Sequence, residues 1–236
     1  MNKPRRIRYL TSEKKNFFPN WSITNWLILI NVIIFAVAFP LIIIYPDAIK
    51  YVALQPSSFF SGKYVWAIIT SVFMHGGILH LAVNMFVLFS LGTLCEKIIG
   101  RKRYLWFYLL SGIIASLFFV LFAYFFGNSP LGAEIFGSPD SFAVGASGAI
   151  FAVAGLFVIL TPKLKFTIIF FPFFSLPAYI MIPVVLLVTW AISLGAGIGV
   201  GNTAHLGGLL CGIIYGVYLR NKYKRKSKII SEYYSK

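Results

Sequence analysis

Two stretches of small residues decide the fold: residues 145–155 read GASGAIFAVAG, and residues 204–216 read AHLGGLLCGIIYG. In each stretch the small residues recur at helical spacing, so they fall on one helix face. The first face holds Gly148, Ala152 and Gly155. The second face holds His205, Gly208, Gly212 and Gly216. Faces of this kind let two helices pack backbone to backbone inside a membrane. We therefore predict that the two segments are adjacent helices, with Ser147 and His205 meeting at one end of the pair.

The composition of the whole chain indicates a membrane as its main solvent. Of 236 residues, 59% are hydrophobic and 11% are charged, and the mean hydropathy is +0.84. Soluble domains carry about 45–50% apolar and about 25% charged residues. A soluble fold, a disordered chain, a coiled coil and a secreted disulfide scaffold are therefore excluded. Cys95 and Cys211 both lie inside apolar runs and are interpreted as small core residues, not as a disulfide.

Six apolar segments approach the roughly 20 residues that a helix needs to cross a hydrocarbon core of about 30 Å. They lie at about 24–45, 77–98, 104–126, 145–160, 176–194 and 204–219. The predicted fold class is an all-α membrane protein, in which six transmembrane helices form one bundle. Residues 165–174 are also apolar, but Pro172 interrupts them, and we predict an interfacial turn there.

The distribution of basic residues sets the expected orientation. With the N-terminus inside, the cytoplasmic parts hold nineteen Lys and Arg residues and the outer loops hold two, Lys50 and Lys63, so both termini are expected in the cytoplasm. We expect a multi-pass protein of the cell membrane, with basic tails at 1–22 and 221–236 and the six-span domain at 23–220. The net charge of +15 lies in these tails and in short loops, which favours membrane lipids as partners and argues against nucleic acid.

This orientation brings the unusual polar residues to one depth. Spans two, four and six would start at the outer face, where the sequence places His75, His80, Asn84, Ser147 and His205. Polar side chains inside a span are costly and usually face a bundle interior or a water-filled cavity. Their convergence at one level therefore predicts a functional site.

The residue types at this depth fit acyl transfer. Ser147 can act as a nucleophile once a base takes its proton, and His205 is the candidate base. His80 and Asn84 are four residues apart, so they share a helix face and can donate hydrogen bonds to an oxyanion. His75 lies about 140° further round an ideal helix, so we place it in the preceding loop, where it could orient the site.

Three motifs follow one another along the predicted spans: His75-x4-His80-x3-Asn84, Gly145-x-Ser147-Gly148 and Ala204-His205-x2-Gly208-x3-Gly212. Together they resemble the rhomboid family of intramembrane serine proteases, over roughly residues 20–220. The resemblance implies a rhomboid-type bundle and a serine endopeptidase that cleaves transmembrane segments of single-span membrane proteins. It also implies that the reaction needs no metal, nucleotide or other cofactor.

The resemblance also assigns roles to individual residues. It makes Ser147 the nucleophile and His205 the general base of a dyad. His80, Asn84 and the backbone N–H of Ser147 would form the oxyanion hole, and Gly145 would allow the substrate backbone to come close.

Three further positions bear on the comparison with the family. Glu96, at the inner end of span two, matches a structural glutamate of the family. Ala67 follows Trp66 in the first outer loop, where many members carry arginine. Phe151 stands four residues after the serine, where the family often has a tyrosine. A phenyl ring can still pack on His205, although the hydroxyl contact is lost.

One alternative from the residues alone is a zinc site made from His75, His80 and His205, because three imidazoles can hold zinc. That arrangement lacks the HExxH pattern and a nearby carboxylate base. It also leaves Ser147 and Asn84 without a role.

Two further alternatives are not enzymes. A non-catalytic rhomboid-like scaffold could bind transmembrane helices, but such relatives usually lose the serine or the histidine. A small-molecule carrier usually needs carboxylates inside its spans, and Glu96 at an inner edge is the only acid there. The loop acids Glu134 and Asp140 are expected to be solvated charges and not the third member of a triad.

Overall fold

The structure is a computed structural model that describes residues 21–168, 171–196 and 201–235. The first part of the described chain holds α1 (Ile23–Ile44), a 3-10 turn (Pro46–Ala48), α2 (Ile49–Val52), α3 (Pro56–Phe60), α4 (Ala67–Thr70), α5 (Ile78–Val87), a π-helical turn (Leu88–Gly92) and α6 (Thr93–Ile99). The second part holds α7 (Arg101–Phe126), α8 (Pro130–Phe136), α9 (Ser147–Leu160), β1 (Lys165–Ile168), β2 (Phe171–Pro177), α10 (Ala178–Ala196), α11 (Asn202–Lys222) and α12 (Lys224–Tyr233). Of the predicted tail at 1–22, all but the last two residues lie outside the described part.

A helix occupies each of the six segments that were predicted as spans. Four helical stretches of the described chain are long and apolar enough to cross a bilayer, and they are Ile23–Ile44, Ile78–Ile99, Arg101–Phe126 and Ala178–Gly195. The apolar helix α9 has 14 residues, which makes it about 21 Å long. An upright helix of that length cannot reach both faces of a hydrocarbon core of about 30 Å.

The prediction of an all-α fold is wrong between α9 and α10. Instead of an interfacial turn, β1 and β2 pair antiparallel, with Lys165 opposite Pro177 and Thr167 opposite Ser175. Proline disfavours a helix here, and the β-branched and aromatic residues around it favour strands. Pairing of the two strands gives their backbone groups hydrogen-bond partners, which an apolar environment requires.

The centre of the bundle is α9, which packs against α7, α10 and α11. Its small-residue face touches that of α11, as the sequence predicts. A Cβ added at Gly208 would overlap the carbonyl oxygen of Gly148, and one added at Gly212 would overlap the carbonyl oxygen of Ala152. The absence of side chains at these glycines therefore sets the distance between the two helices.

Glu96 anchors the start of α1 to the end of α6. One carboxylate oxygen accepts the backbone N–H of Ile23 at 2.9 Å, and the other accepts the N–H and the hydroxyl of Thr24, each at 3.0 Å. The guanidinium of Arg101 lies 3.4 Å from the first oxygen. A carboxylate at a helix N-terminus satisfies free N–H groups and complements the helix dipole. Glu96 therefore has the structural role that the sequence comparison implied.

In the segment between α1 and α5, the packing around position 67 suits alanine. Ala67 is buried in a small apolar cluster that includes Leu54, Phe119 and Ala123. The neighbouring Trp66 is half exposed, and its indole N–H donates to the carbonyl of Tyr51 at 3.0 Å. Because Ala67 is 1% exposed, the position favours a small apolar side chain.

Candidate active site

Ser147 is the first residue of α9, and the loop before it holds a sharp turn. Gly145 has φ +132°, a conformation that residues with a side chain rarely adopt. Its backbone N–H donates to the carbonyl of Ser71 at 2.8 Å, which ties the turn to the segment before α5. Because Ser147 opens the helix, its own backbone N–H belongs to the first turn, which has no intrahelical acceptor.

His205 faces Ser147 from the first turn of α11. The imidazole Nε2 lies 2.8 Å from the Ser147 hydroxyl oxygen, within hydrogen-bond distance. The ring of Phe151 stacks on the imidazole with centroids 4.5 Å apart and an interplanar angle of 20°. His205 is 6% exposed, so its ring is held in place by packing on α9.

An acid that could orient His205 does not contact it in the described part of the chain. The other ring nitrogen, Nδ1, has no hydrogen-bond partner among residues 21–168, 171–196 and 201–235. Both loop acids are exposed, and Asp140 accepts the hydroxyl of Ser57 at 2.7 Å. The geometry is that of a Ser–His pair oriented by Phe151.

His80 presents a defined nitrogen to the space around Ser147. Its Nδ1 accepts the backbone N–H of Gly76 at 3.3 Å, so in the neutral ring the proton is on Nε2. A Cβ placed on Gly145 would lie 3.1 Å from this Nε2 and 3.5 Å from the Ser147 hydroxyl oxygen. The ring of His80, the bare backbone of Gly145 and the serine hydroxyl therefore border the same small space.

Asn84 supplies a second donor one helical turn after His80. The side chain is 7% exposed. Its amide Nδ2 is buried and has no hydrogen-bond partner within the described residues. Leaving a buried donor unpaired costs free energy, and an incoming oxygen atom would remove that cost.

His75 lies in the loop before α5, as predicted, and is fully buried. Its ring meets His80 edge-on, with centroids 5.1 Å apart. His75 thus supports the ring that faces Ser147. Across the described chain, no group of three His, Cys, Asp or Glu side chains is arranged to hold a metal ion.

Sequence reasoning missed the two backbone groups that orient the site. The N–H of Gly76 selects the proton position on His80, and the carbonyl of Ser71 holds Gly145. The Gly76-Gly77 pair is a turn signal in the sequence. Nothing in the sequence indicates that the Ser71 carbonyl accepts this hydrogen bond, because every residue has a backbone carbonyl.

Fold and site together define a helical membrane protein whose bundle holds a serine and a histidine in hydrogen-bond contact. Residues 62–222, more than half of the chain, match the rhomboid domain. The chain therefore belongs to the rhomboid family.

Curated relatives agree with this assignment. The chain is 31% identical to Rhomboid protein 1, mitochondrial, of Saccharomyces cerevisiae over 173 residues, which are 72% of this chain and 45% of that protein. It is 33% identical to RHOMBOID-like protein 4 of Arabidopsis thaliana over 156 residues, 65% of this chain and 34% of the relative. It is also 33% identical to Rhomboid protease GluP of Bacillus subtilis over 152 residues, 62% of this chain and 24% of the relative. The chain thus spans less than half the length of each of these relatives.

Proposed function

We propose that the protein is an intramembrane serine endopeptidase that cleaves transmembrane segments of single-span membrane proteins. The observation that carries the proposal is the 2.8 Å contact between the Ser147 hydroxyl and Nε2 of His205. A serine needs an adjacent base to become a nucleophile at neutral pH. One relative, GluP, is itself named a protease.

In the proposed reaction, neutral His205 takes the Ser147 proton as the hydroxyl oxygen attacks a substrate carbonyl. The resulting imidazolium then gives this proton to the leaving amine as the peptide bond breaks. A water molecule, deprotonated by the same imidazole, then attacks the acyl carbonyl, and the ester bond to Ser147 breaks as the imidazolium returns the proton to the serine oxygen. Each step uses atoms of the pair, the substrate and water, so the mechanism needs no cofactor.

Three donors would stabilise the negative charge of the tetrahedral intermediate. They are the Nε2–H of His80, the amide Nδ2 of Asn84 and the backbone N–H of Ser147. Two observations support the assignment: the buried amide of Asn84 lacks a partner in the described chain, and the proton of neutral His80 is on the nitrogen nearest Gly145. Donors fixed before the reaction stabilise developing charge without a reorganisation cost.

In the proposed topology, the protein crosses the cell membrane six times, and both tails lie in the cytoplasm. Its support is the distribution of basic residues, nineteen on one side against two on the other. Because α9 is too short to reach both bilayer faces, Ser147 would lie below the outer surface, in a cavity filled by water from outside. Helical peptide bonds are internally hydrogen-bonded, so the substrate helix would have to unwind locally before attack.

A second candidate function is a non-catalytic scaffold that binds transmembrane helices. The exposed apolar side chains of α10, among them Leu187 and Val188, could contact such helices. Binding alone, however, would not require a serine and a histidine in contact, or a buried Asn84 amide that lacks a partner in the described chain.

The test is cleavage of a single-span reporter by purified protein in vesicles, comparing the native chain with Ser147→Ala. We expect loss of turnover by about 10⁴-fold or more, since removal of one member of a catalytic pair removes nearly all of the rate advantage. Ser111→Ala is the matched control, because Ser111 is a buried serine of α7 that bonds the carbonyl of Tyr108 in its own helix. Equal cleavage by native chain and Ser147→Ala would refute the serine mechanism, and reporter binding without cleavage by the native chain would favour the scaffold.

A further inference from the structure

A cavity lies at the opposite end of the bundle from the Ser–His pair. It has a volume of about 500 Å³ and opens between the ends of α9 and α11 and the final helix α12. Arg220, on its wall, is fifteen residues after His205 on α11, which corresponds to about 22 Å along the helix axis. The cavity is therefore separate from the proposed active site.

The helix α12 turns one face towards this cavity. Lys224, Ser227, Lys228 and Ser231 all line it, and their spacing of i, i+3, i+4 and i+7 places them on one helix face. Ile229 and Tyr233 do not line it and are 57% and 73% exposed. Arg225 and Lys226 are exposed as well, so α12 carries basic residues on all sides, with the exposed apolar side chains of Ile229 and Tyr233 among them. Basic and exposed apolar residues on one short helix suit a position at an anionic membrane surface.

Positive charge converges on the cavity from two helices. Arg220 comes from α11, and Lys224 and Lys228 come from α12. One acid, Glu232, also lines the wall, with its carboxylate 3.9 Å from Lys228. The lining side chains thus carry a net charge of +2, and the hydroxyls of Ser227 and Ser231 add hydrogen-bond donors.

The floor of the same cavity is apolar. Ile159, Leu160 and Pro162, from the end of α9 and the residues after it, form this part of the lining. A soluble anion would gain from the cations but not from an aliphatic floor at the end of a membrane helix. A phospholipid matches both parts, because its phosphate is anionic and its acyl chains are apolar.

We propose that this cavity binds the phosphate of an anionic phospholipid from the leaflet in which α9 and α11 end. Arg220, Lys224 and Lys228 hold the phosphate, and the aliphatic floor contacts the glycerol end of the acyl chains. The exposed face of Ile229 and Tyr233 lies among the neighbouring lipids and keeps α12 at the level of the headgroups. This proposal stands independently of the proteolytic activity.

The experiment measures binding of phosphatidylglycerol to the purified full chain in neutral detergent, by native mass spectrometry, with phosphatidylcholine as the zwitterionic comparison. The test variant is K224Q/K228Q. The matched control R225Q/K226Q removes the same charge from the same helix at positions that do not line the cavity. We expect the test variant to weaken binding of phosphatidylglycerol by about tenfold or more, and the control by less than about threefold, since a basic residue at an anionic headgroup contributes several-fold.

A third variant, Arg220→Gln, removes a cavity cation from α11 and leaves α12 unchanged, so it keeps the test valid if K224Q/K228Q disturbs the final helix. Thermal unfolding of each variant in phosphatidylcholine checks the fold. Equal losses of lipid affinity for K224Q/K228Q and R225Q/K226Q would show diffuse electrostatic attraction to the helix and would overturn a specific site. Undiminished binding by Arg220→Gln would overturn it as well. Displacement of the lipid by millimolar inorganic phosphate would overturn the lipid as ligand in favour of a free phosphate anion.

Discussion

At the scale of single residues, the candidate site depends on backbone groups as much as on side chains. The N–H of Gly76 fixes which nitrogen of His80 carries the proton, and the carbonyl of Ser71 holds Gly145 in its unusual conformation. The stacked ring of Phe151 orients His205, and no acid contacts the imidazole within the described residues. The proposed donors and the Ser–His pair are thus in place before a substrate binds, and donors fixed in advance stabilise developing charge without a reorganisation cost.

Removing either proposed oxyanion donor should slow turnover more than it weakens substrate binding. His80→Ala and Asn84→Ala are each expected to lower kcat by roughly 10–10³-fold with little change in KM, because an oxyanion forms only in the transition state. Steady-state cleavage of a reporter in detergent, with Tm recorded for each variant, checks this. Asn31→Ala is the control, since Asn31 is a buried asparagine of α1 whose amide bonds the carbonyl of Leu27. A change confined to KM would remove both residues from the oxyanion site.

Helical periodicity in the sequence predicted which side chains meet in the site, but it could not predict the finer geometry. The faces of small residues on the two helices predicted that Ser147 and His205 meet, because helical spacing shows which residues share a helix face. The proton position on His80 could not be predicted, since it depends on the fold of the Gly76 loop. Nor could the sequence predict that the buried Asn84 amide lacks a partner among the described residues, because this depends on how the neighbouring helices pack.

At the scale of elements, the contact between α9 and α11 sets the distance between serine and histidine. A single added methyl group on this contact has no free space, because it would meet the backbone of the facing helix. The apolar segments predicted all six helices that build the bundle, since a run of about 20 apolar residues is a strong signal. The same signal failed for β1 and β2, where a short apolar run fits a strand or a turn equally well and only pairing decides.

Gly212→Ala tests this contact. We expect a lower Tm, with a cost of about 1–3 kcal/mol from overpacking, and reduced cleavage because α11 must shift away from Ala152. Gly195→Ala, at a glycine of α10 with no atom within 4 Å of the added Cβ in the described structure, is the matched control and should leave both quantities unchanged. Unchanged Tm and activity for Gly212→Ala would mean that the two helices can separate freely.

At the scale of the whole molecule, the proposed topology gives each end of the bundle its own compartment. The Ser–His pair lies at the start of α9 and α11, and the basic cavity lies where both helices end. If the tails are cytoplasmic, the chemistry faces the outside and the cavity faces the inner leaflet. This division predicts that the two sides respond to different conditions.

The rate of cleavage should depend on the pH on one side of the membrane only. His205 accepts a proton only while it is neutral, so cleavage should slow as acidification protonates it. In vesicles of known orientation with a co-reconstituted substrate, acidifying the compartment nearest the starts of α9 and α11 should slow cleavage. Acidifying the tail side should have no effect, and Tm at each pH controls for unfolding. The reverse dependence would contradict the proposed orientation.

The proposed proteolysis requires that Ser147 is a nucleophile activated by His205. The most direct measurement is peptide mass spectrometry after treatment with a fluorophosphonate, comparing the native chain, His205→Ala and the native chain with a metal chelator. We expect one covalent adduct at Ser147, strongly reduced in His205→Ala and unaffected by the chelator. An adduct at another residue, or full labelling of Ser147 without His205, would contradict it.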